Sequence, residues 1–429
     1  MVNKLSVKKR IIVILIILSV AGTIVVRGNW VASGMNTISE FDMVDTHTIP
    51  VAGFRESFII KPDGSLWAWG NNTYSQLGTE SRIRRYNEPI HIMDGVASVY
   101  TGSMRTFALT IDGDLYSWGS NNFSSSGCDD GRLYRVRVME DIAYFFNFST
   151  TGFAVTTSGE LYYIRRQNQP YMPMSFLIDF IMRDVKYTNG NFAVTTNGRL
   201  YYLGLWPFSS QGLGAQIRSG EAVPIFIMDD VVRLATGDNT YLILRNDDTL
   251  WIANRLRCTD NPVETTKVMD EVAYVTTGGR SGGVAAIRTD GTLWTWRGSR
   301  SSGHTTHRFQ EEFKGKYEYV YAAATPAQIL DDVVAVSLYG RHSMAITSDG
   351  TLWSFGTGPG LGRITPEHRY APEIIMRSVA AVSVGLEHTV VVRLDGSIWT
   401  FGLNGTGQLG DGTTRRQLRP TMITTIPIE

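Results

Sequence analysis

An all-β ring of four-stranded blades, a β-propeller of seven or eight blades, is the fold class this chain predicts. Two observations predict it. The first is a recurring phrase: Asp63-Gly64-Ser65-Leu66-Trp67-Ala68-Trp69-Gly70 returns as Asp349-Gly350-Thr351-Leu352-Trp353-Ser354-Phe355-Gly356 and as Asp395-Gly396-Ser397-Ile398-Trp399-Thr400-Phe401-Gly402. The second is its interval. Eight copies align on Asp63, Asp112, Ser158, Asn197, Asp247, Asp290, Asp349 and Asp395, spaced 49, 46, 39, 50, 43, 59 and 46 residues apart. That interval suits four short strands plus connections. Length alone, 429 residues, suggests two or three domains; the repeat replaces that expectation with one ring. Residues that recur serve the scaffold, so function is sought in what does not recur.

The chain opens with a basic segment, 1–10, carrying Lys4, Lys8, Lys9 and Arg10. Residues 11–26 come next as an uncharged apolar run and predict an N-terminal hydrophobic helix. No acidic residue precedes Glu40. This is the pattern of a secretory signal or an uncleaved anchor. The run of 16 residues is shorter than the roughly 20 that span a bilayer core. Ser19-Val20-Ala21 offers a cleavage site, whereas Ile24-Val25-Val26 continue the apolar character. Either way, the charge asymmetry places the rest of the chain outside the cytoplasm: in the cell membrane as a single-pass protein, or secreted after cleavage. Residues 27–46 read as a polar tether with Gly28, Ser33, Gly34 and Asn36.

From residue 47 to 429 the repeat units run without a break. Asp-Gly or Asn-Gly between two apolar runs marks a hairpin, because these residues accept the positive φ of its turn. Ser158-Gly159 is a weaker version, and Asp247-Asp248 lacks the glycine, which predicts a distorted or longer turn. The strands after the turns, such as Leu66-Trp67-Ala68-Trp69 and Leu293-Trp294-Thr295-Trp296, are apolar on both faces, as blades covered by neighbours require. Their tryptophans are expected in the inter-blade core rather than in a ligand cage. Before each hairpin comes a Val-rich strand, for example Val96-Ala97-Ser98-Val99 or Val379-Ala380-Ala381-Val382. Each end of the chain is expected to supply part of one blade, so that N- and C-terminal strands pair and close the ring.

The chain resembles the regulator of chromosome condensation repeat family of β-propellers. The residues that carry the resemblance are Gly340-Arg341-His342-Ser343-Met344-Ala345-Ile346 and Gly385-Leu386-Glu387-His388-Thr389, together with Gly402-Leu403-Asn404-Gly405-Thr406-Gly407-Gln408-Leu409-Gly410-Asp411-Gly412-Thr413-Thr414. The resemblance covers residues 47–429 and weakens in the middle, where Leu161-Tyr162-Tyr163 and Leu200-Tyr201-Tyr202 replace the Trp pattern. Gln-Leu-Gly survives at Gln76-Leu77-Gly78 and faintly as Gly212-Leu213-Gly214. Family members usually have seven blades; eight units are counted here. The exported character of the N-terminus points to a bacterial-type, membrane-anchored or secreted member.

No enzyme is read from the residues. His304 and His307 lie three apart, with no carboxylate or Cys at a ligand spacing, so no metal site is expected. His342 and His388 recur at equivalent positions and read as structural, with Glu56 and Arg105 near the same site in other copies. The loop Gly402–Gly412 lacks the Lys-Ser/Thr ending of a phosphate cradle, and no cofactor is expected. Cys128 and Cys258 fall in different units and read as unpaired thiols in variable loops. Lys and Arg number 40 against 40 Asp and Glu, which argues against a nucleic-acid partner.

The expected function is protein binding through loops on one face. The longest interval, 59, exceeds the median by about 13 residues and holds Tyr317, Tyr319 and Tyr321 among charges of both signs. These tyrosines are the first candidate contacts; Arg82, Arg84, Arg85 and Tyr86 are the second, and Arg132 and Arg135 the third. The resemblance implies two alternatives: a guanine-nucleotide exchange factor-like regulator of a small GTPase, or, as for bacterial propellers of this repeat type that inhibit β-lactamases, an inhibitor of an exported hydrolase.

Overall fold

The computed structural model describes residues 23–25, 48–79, 81, 83–102, 105–119, 135–148, 151–166, 176–203, 224–236, 241–253, 265–278, 283–297, 326–339, 342–364 and 371–426. They form eight antiparallel sheets, each built on four strands consecutive in chain order, with a fifth strand from the N-terminus added to the last. Blades 1 to 8 span 49–93, 96–139, 142–182, 185–228, 231–269, 272–330, 333–376 and 379–423. First strands of neighbouring blades touch one another, so they line the centre of the ring and fourth strands form its rim. Eight blades, not seven, is the count.

Every hairpin turn between second and third strands has the same geometry. In blade 1, the Gly64 amide donates to the Lys61 carbonyl (2.9 Å) and the Lys61 amide to the Ser65 carbonyl (3.0 Å), with Gly64 at φ 80°. This is a three-residue turn with its last residue left-handed. The turn at Asp247-Asp248 is neither distorted nor lengthened. Asp248 takes φ 61° and makes the same bonds, to Arg245 at 3.1 Å and, from the Arg245 amide, to Thr249 at 3.0 Å. Aspartate tolerates the left-handed region better than most residues.

The repeated phrase is a local network. Asp395 accepts the Ser397 amide at 3.0 Å, and Ser397 Oγ accepts Trp399 Nε1 at 2.9 Å. Asp290, Thr292 and Trp294 repeat it at 2.9 and 2.9 Å. The carbonyl of the left-handed residue then accepts the first amide of the next blade, as from Val96 to Gly64 and from Val272 to Asp248, both at 2.9 Å. Thus one short phrase builds a turn, orients an aromatic ring and joins adjacent blades.

The tryptophans divide into two sets. The aromatic beside each turn, such as Trp67, Trp294 or Trp399, is only half-buried, because it caps the turn. The residue two further on is the core one: Trp69, Trp118, Trp296, Phe355 and Phe401 are buried between blades. Inter-blade cores run round the whole ring. Val51, Phe58 and Leu66 meet Val99, Ala108 and Trp118 between blades 1 and 2. Ile59 and Trp69 meet Ala381, Val390 and Val392 between blades 1 and 8.

Ring closure differs from the expected pairing of terminal strands. The strand Ile49–Ala52 pairs within blade 1, which takes its four strands from 49–93, and the last strand, Gln417–Ile423, pairs within blade 8, so these two do not share a blade; the N-terminal strand that does join a C-terminal sheet is Thr23–Val25, on blade 8. The unit boundary falls at the two-residue links between fourth and first strands, such as 94–95 and 377–378, and the strand Ile49–Ala52 already belongs to the first unit. Closure is by side chains and loops. The Ala52 amide donates to Ser383 Oγ at 2.9 Å, and Trp69 Nε1 donates to the Gln408 carbonyl at 2.9 Å.

At the N-terminus the expected helix over 11–26 is replaced, where described, by strand. Thr23–Val25 pairs antiparallel with the first strand of blade 8, Ile24 opposite Val382. β-Branched residues fit a strand, and the inner edge of the blade offers unpaired backbone groups. The remaining residues of 1–47 lie outside the described set. No described helix is long and apolar enough to cross a membrane.

Candidate interaction surface

Antiparallel blades put their connections at two ends, and the two ends differ sharply. At one end lie the hairpin turns and the links between blades, each two to five residues long. At the other lie the first-to-second and third-to-fourth strand connections. The latter run from nine residues (167–175) to 29 (298–326). A closed, tightly bonded end and a variable loop end therefore share one rigid ring.

All three candidate regions belong to the loop end. Arg84 is in the connection 72–84, and Arg85 and Tyr86 open the fourth strand of blade 1, Arg85–Met93. Arg84 and Arg85 are exposed and have no carboxylate partner among the described residues. Tyr86 is instead a packing residue, half-buried against the core between blades 1 and 2, with its carbonyl beside Gly407 of blade 8. Arg135 is exposed, yet its Nη1 donates to the Ile92 carbonyl at 2.9 Å, so it ties the rim strand of blade 1 to that of blade 2. Tyr317, Tyr319, Tyr321, Arg82 and Arg132 lie outside the described residues, as do His304, His307, Cys128 and Cys258. The described residues hold no group of three or more potential metal ligands.

The glycine-rich loop is an inter-blade latch. The Gln408 carbonyl accepts Trp69 Nε1 (2.9 Å) and Ser57 Oγ (2.8 Å) of blade 1. One blade on, the Gln76 carbonyl accepts Trp118 Nε1 (2.8 Å) and Thr106 Oγ1 (2.7 Å) of blade 2. Asn404 and Asn72 brace the two loops alike, accepting the Leu409 and Leu77 amides at 3.0 and 3.1 Å. In blades 3 to 5 the latched indole is replaced by Ile164, Leu203 and Ala253.

Below this loop end runs a row of buried ionisable groups, each opening a second strand: Glu56, Arg105, His342 and His388. Ser57 Oγ donates to the Gln408 carbonyl, so it accepts from His388 Nε2 at 2.9 Å. Thr389 Oγ1 donates to the Gly360 carbonyl at 2.8 Å and faces His342 Nε2 at 3.3 Å. Each hydroxyl, its proton already given to a carbonyl, thus offers a lone pair to the neighbouring Nε2. Burial holds the His342 pKa down at about 4 and, with His342 nearby, that of His388 at about 3. Burial pushes Glu56 up to about 7, against the pull of the Arg55 and Phe54 amides. The two histidines bridge neighbouring blades, His388 to Ser57 and His342 to Thr389.

Eight four-stranded blades with latched glycine loops define a repeat β-propeller, and sequence comparison places it. A model of the regulator of chromosome condensation (RCC1) repeat matches residues 63–109 and 395–427, and a second model of that repeat matches 96–124 and 379–408. The chain belongs to the regulator of chromosome condensation repeat β-propellers. No curated protein sequence matches it. Among solved structures, a chain of yeast RCC1 (Prp20) bound to Kap60 is similar with TM-score 0.55 and 16% identity, over 93% of this chain and 91% of that one. Prp20p from Saccharomyces cerevisiae, described with its binding to Gsp1p and histones, gives 0.53 and 15% over 87% of each chain. Human WBSCR16 gives 0.53 and 15%, over 84% of this chain and 95% of that one. At these identities the likeness is one of fold.

Proposed function

We propose that the chain is a non-enzymatic protein-binding scaffold that works outside the cytoplasm and engages its partner through the loop end of the ring. One observation carries the reading: every long connection is gathered at one end of a ring whose other end is closed by turns of two to five residues. A rigid scaffold that presents loops lowers the ordering cost of binding. The extracytoplasmic placement rests on the basic residues that precede the apolar run 11–26. Membrane spanning and the strand Thr23–Val25 compete for the same residues. With that strand formed, 11–22 remain, about 18 Å of helix against the roughly 30 Å hydrocarbon core.

The full chain, immobilised through its C-terminus, tests this against surface and secreted proteins of its source, read by mass spectrometry. A saturable partner lost in Arg84→Glu/Arg85→Glu or in Tyr317→Ala/Tyr319→Ala/Tyr321→Ala supports the loop end. A partner kept by both variants rejects those contacts. Fractionation with protease protection checks the placement, and a propeller protected inside the cytoplasm rejects it. A second reading, an exchange factor-like regulator of a small GTPase, draws on the fold likeness to Prp20p, whose structure is described with its binding to Gsp1p. Nucleotide release from a small GTPase on addition of the chain supports it. The third, inhibition of an exported hydrolase, is checked by titrating a β-lactamase with the chain.

A further inference from the structure

In a closed ring the inner edge of every first strand faces the channel, and such an edge presents backbone groups that accept a further strand. Among the described residues one of the eight edges is filled. Thr23–Val25 adds a fifth strand to blade 8, with Thr23 opposite Ser383, Ile24 opposite Val382 and Val25 opposite Ala381. The same segment touches the first strands of blades 7 and 1, so it lies within the channel. All six residues of Val379–Val384 are buried, the second, Ala380, included. In blades 2 to 7 the second residue is more open: Ala97 and Val334 are half-buried, and Ala143, Lys186, Val232 and Ala273 are exposed. Two features favour this edge over the others. Pro50, in the first strand of blade 1, has no N–H to give to a ladder. The first strands of blades 2 to 8 share a register shift between first and third residues, which aligns their third positions. Blades 7 and 8 have Ala335 and Ala381 there, where blades 3 to 6 have Tyr144, Tyr187, Arg233 and Tyr274, so the added strand lies beside the smallest residues of the series.

We propose that the channel edge of blade 8 is an acceptor site for one extended β-branched segment, and that the chain's own Thr23–Val25 is its resident, exchangeable ligand. Thr23, Ile24, Val25 and Val26 are all β-branched, the residue type that best keeps a short segment extended. A ladder of three pairs fixes few backbone bonds, so the segment leaves and returns without unfolding a blade. Its covalent link to Ile49 keeps it near the edge at a local concentration on the order of millimolar. The seat has a direction. Blade 8's first strand starts at the link 377–378 on the closed end and runs toward the loop end. Antiparallel pairing therefore sets Thr23 toward the loop end and Val25 toward the closed end. While the segment is seated, no second polypeptide pairs with this edge. The site does not depend on which loops bind a partner, nor on which side of a membrane the ring lies.

Hydrogen exchange of the full chain, read by mass spectrometry, tests this. Successive strand amides point to opposite sides, so proline at Thr23 or at Ile24 removes a ladder donor. In Thr23→Pro or Ile24→Pro the amides of 379–384 should exchange at least about tenfold faster than in wild type. Those of 96–101 in blade 2 should stay unchanged, which shows the ring intact. A free peptide with the sequence of residues 22–27, at about 5 mM to exceed the local concentration of the tethered segment, should restore slow exchange at 379–384 in the faster variant. The same peptide with proline in place of both its Thr and its first Ile should not. If both proline variants melt early, Val25→Cys/Ala381→Cys in a Cys128→Ser/Cys258→Ser background replaces them. Mild oxidation should close an intrachain disulfide, because opposed antiparallel partners have the Cα separation a disulfide spans. Only the reduced form should then bind the peptide, read by saturation-transfer NMR. Equal exchange in wild type and both proline variants, no disulfide, or a peptide that neither restores protection nor binds, overturns the site.

Discussion

Replacing Glu56 by Gln isolates one buried ionisation. Glu56 is fully buried, it covers Gly53, and among the described residues the Phe54 and Arg55 amides are the donors to its carboxyl, at 3.3 and 3.1 Å. Its pKa of about 7 stands against an ordinary 4.5. At 1.36 kcal/mol per pH unit, ionising it in the fold costs about 3 kcal/mol more than in the unfolded chain. The folded chain holds the proton more tightly, so this stability is complete below pH 4.5 and lost as pH rises through 7. The carboxamide of Glu56→Gln keeps an acceptor for those amides and never ionises. The variant should therefore match wild type within about 1 kcal/mol at pH 5 and exceed it by about 3 kcal/mol at pH 8. Urea midpoints at pH 5, 6, 7 and 8, with slopes compared, read the difference. His342 and His388 are present in both proteins and cancel. A difference constant across that range, or one that grows toward acid, would refute the assigned burial cost.

Wild type should also lose stability as pH falls from 6.5 toward 4, because burial depresses the His342 and His388 pKa values to about 4 and about 3. The double variant His342→Gln/His388→Gln should flatten that acid limb, read by thermal melts at pH 4 to 7. Gly410→Ala should cost more than about 2 kcal/mol, because Gly410 has φ 68° and an added Cβ would lie 2.8 Å from Trp69 Nε1. Gly405→Ala, whose Cβ meets nothing within 4 Å, should change urea stability by under about 0.5 kcal/mol. Asp248→Gly should stabilise by up to about 1 kcal/mol, relieving a left-handed aspartate, whereas Asp248→Val should destabilise by about 1–2 kcal/mol. Denaturation midpoints of the pair distinguish the two.

How much of the fold is legible in the sequence depends on what repeats. Asp-Gly-Ser-Leu-Trp is legible because all its bonds are local: turn, cap and indole lie within five residues. Blade boundaries are harder. Their marker is a second phrase, Met228-Asp229-Asp230-Val231 or Met269-Asp270-Glu271-Val272, whose third residue is left-handed although it is not glycine: Asp230 at φ 64° and Glu271 at φ 57°. A glycine search passes over it, so the hairpin alone defines the units and the terminal strands are assigned to one shared blade. The half-exposed tryptophans have a similar cause, since period two puts both aromatics on one side of the strand and cannot say that the neighbouring blade covers only the second.

The third positions of the first strands show why single departures on this scaffold resist reading. Arg233, third in the first strand of blade 5, stands in a slot filled in blades 2 to 4 and 6 to 8 by Ser98, Tyr144, Tyr187, Tyr274, Ala335 and Ala381, and such a slot reads as scaffold. Its neighbours Tyr187 and Tyr274 are 46 and 41 residues away in the chain. Only the register shift shared by the first strands brings the three slots into line. On a repeat protein, then, the informative residue is the one that occupies a repeated position with a chemistry its copies lack. Arg233 does so where its seven-fold series is otherwise uncharged, and that contrast is visible once the copies are aligned on Met-x-Asp-Val rather than on the turn. The latch loops make the converse point. Gly402 to Gly412 has the composition of a ligand cradle, yet its Gln408 carbonyl is already taken by Trp69 and Ser57, and a group satisfied by the next blade has nothing left to offer a ligand.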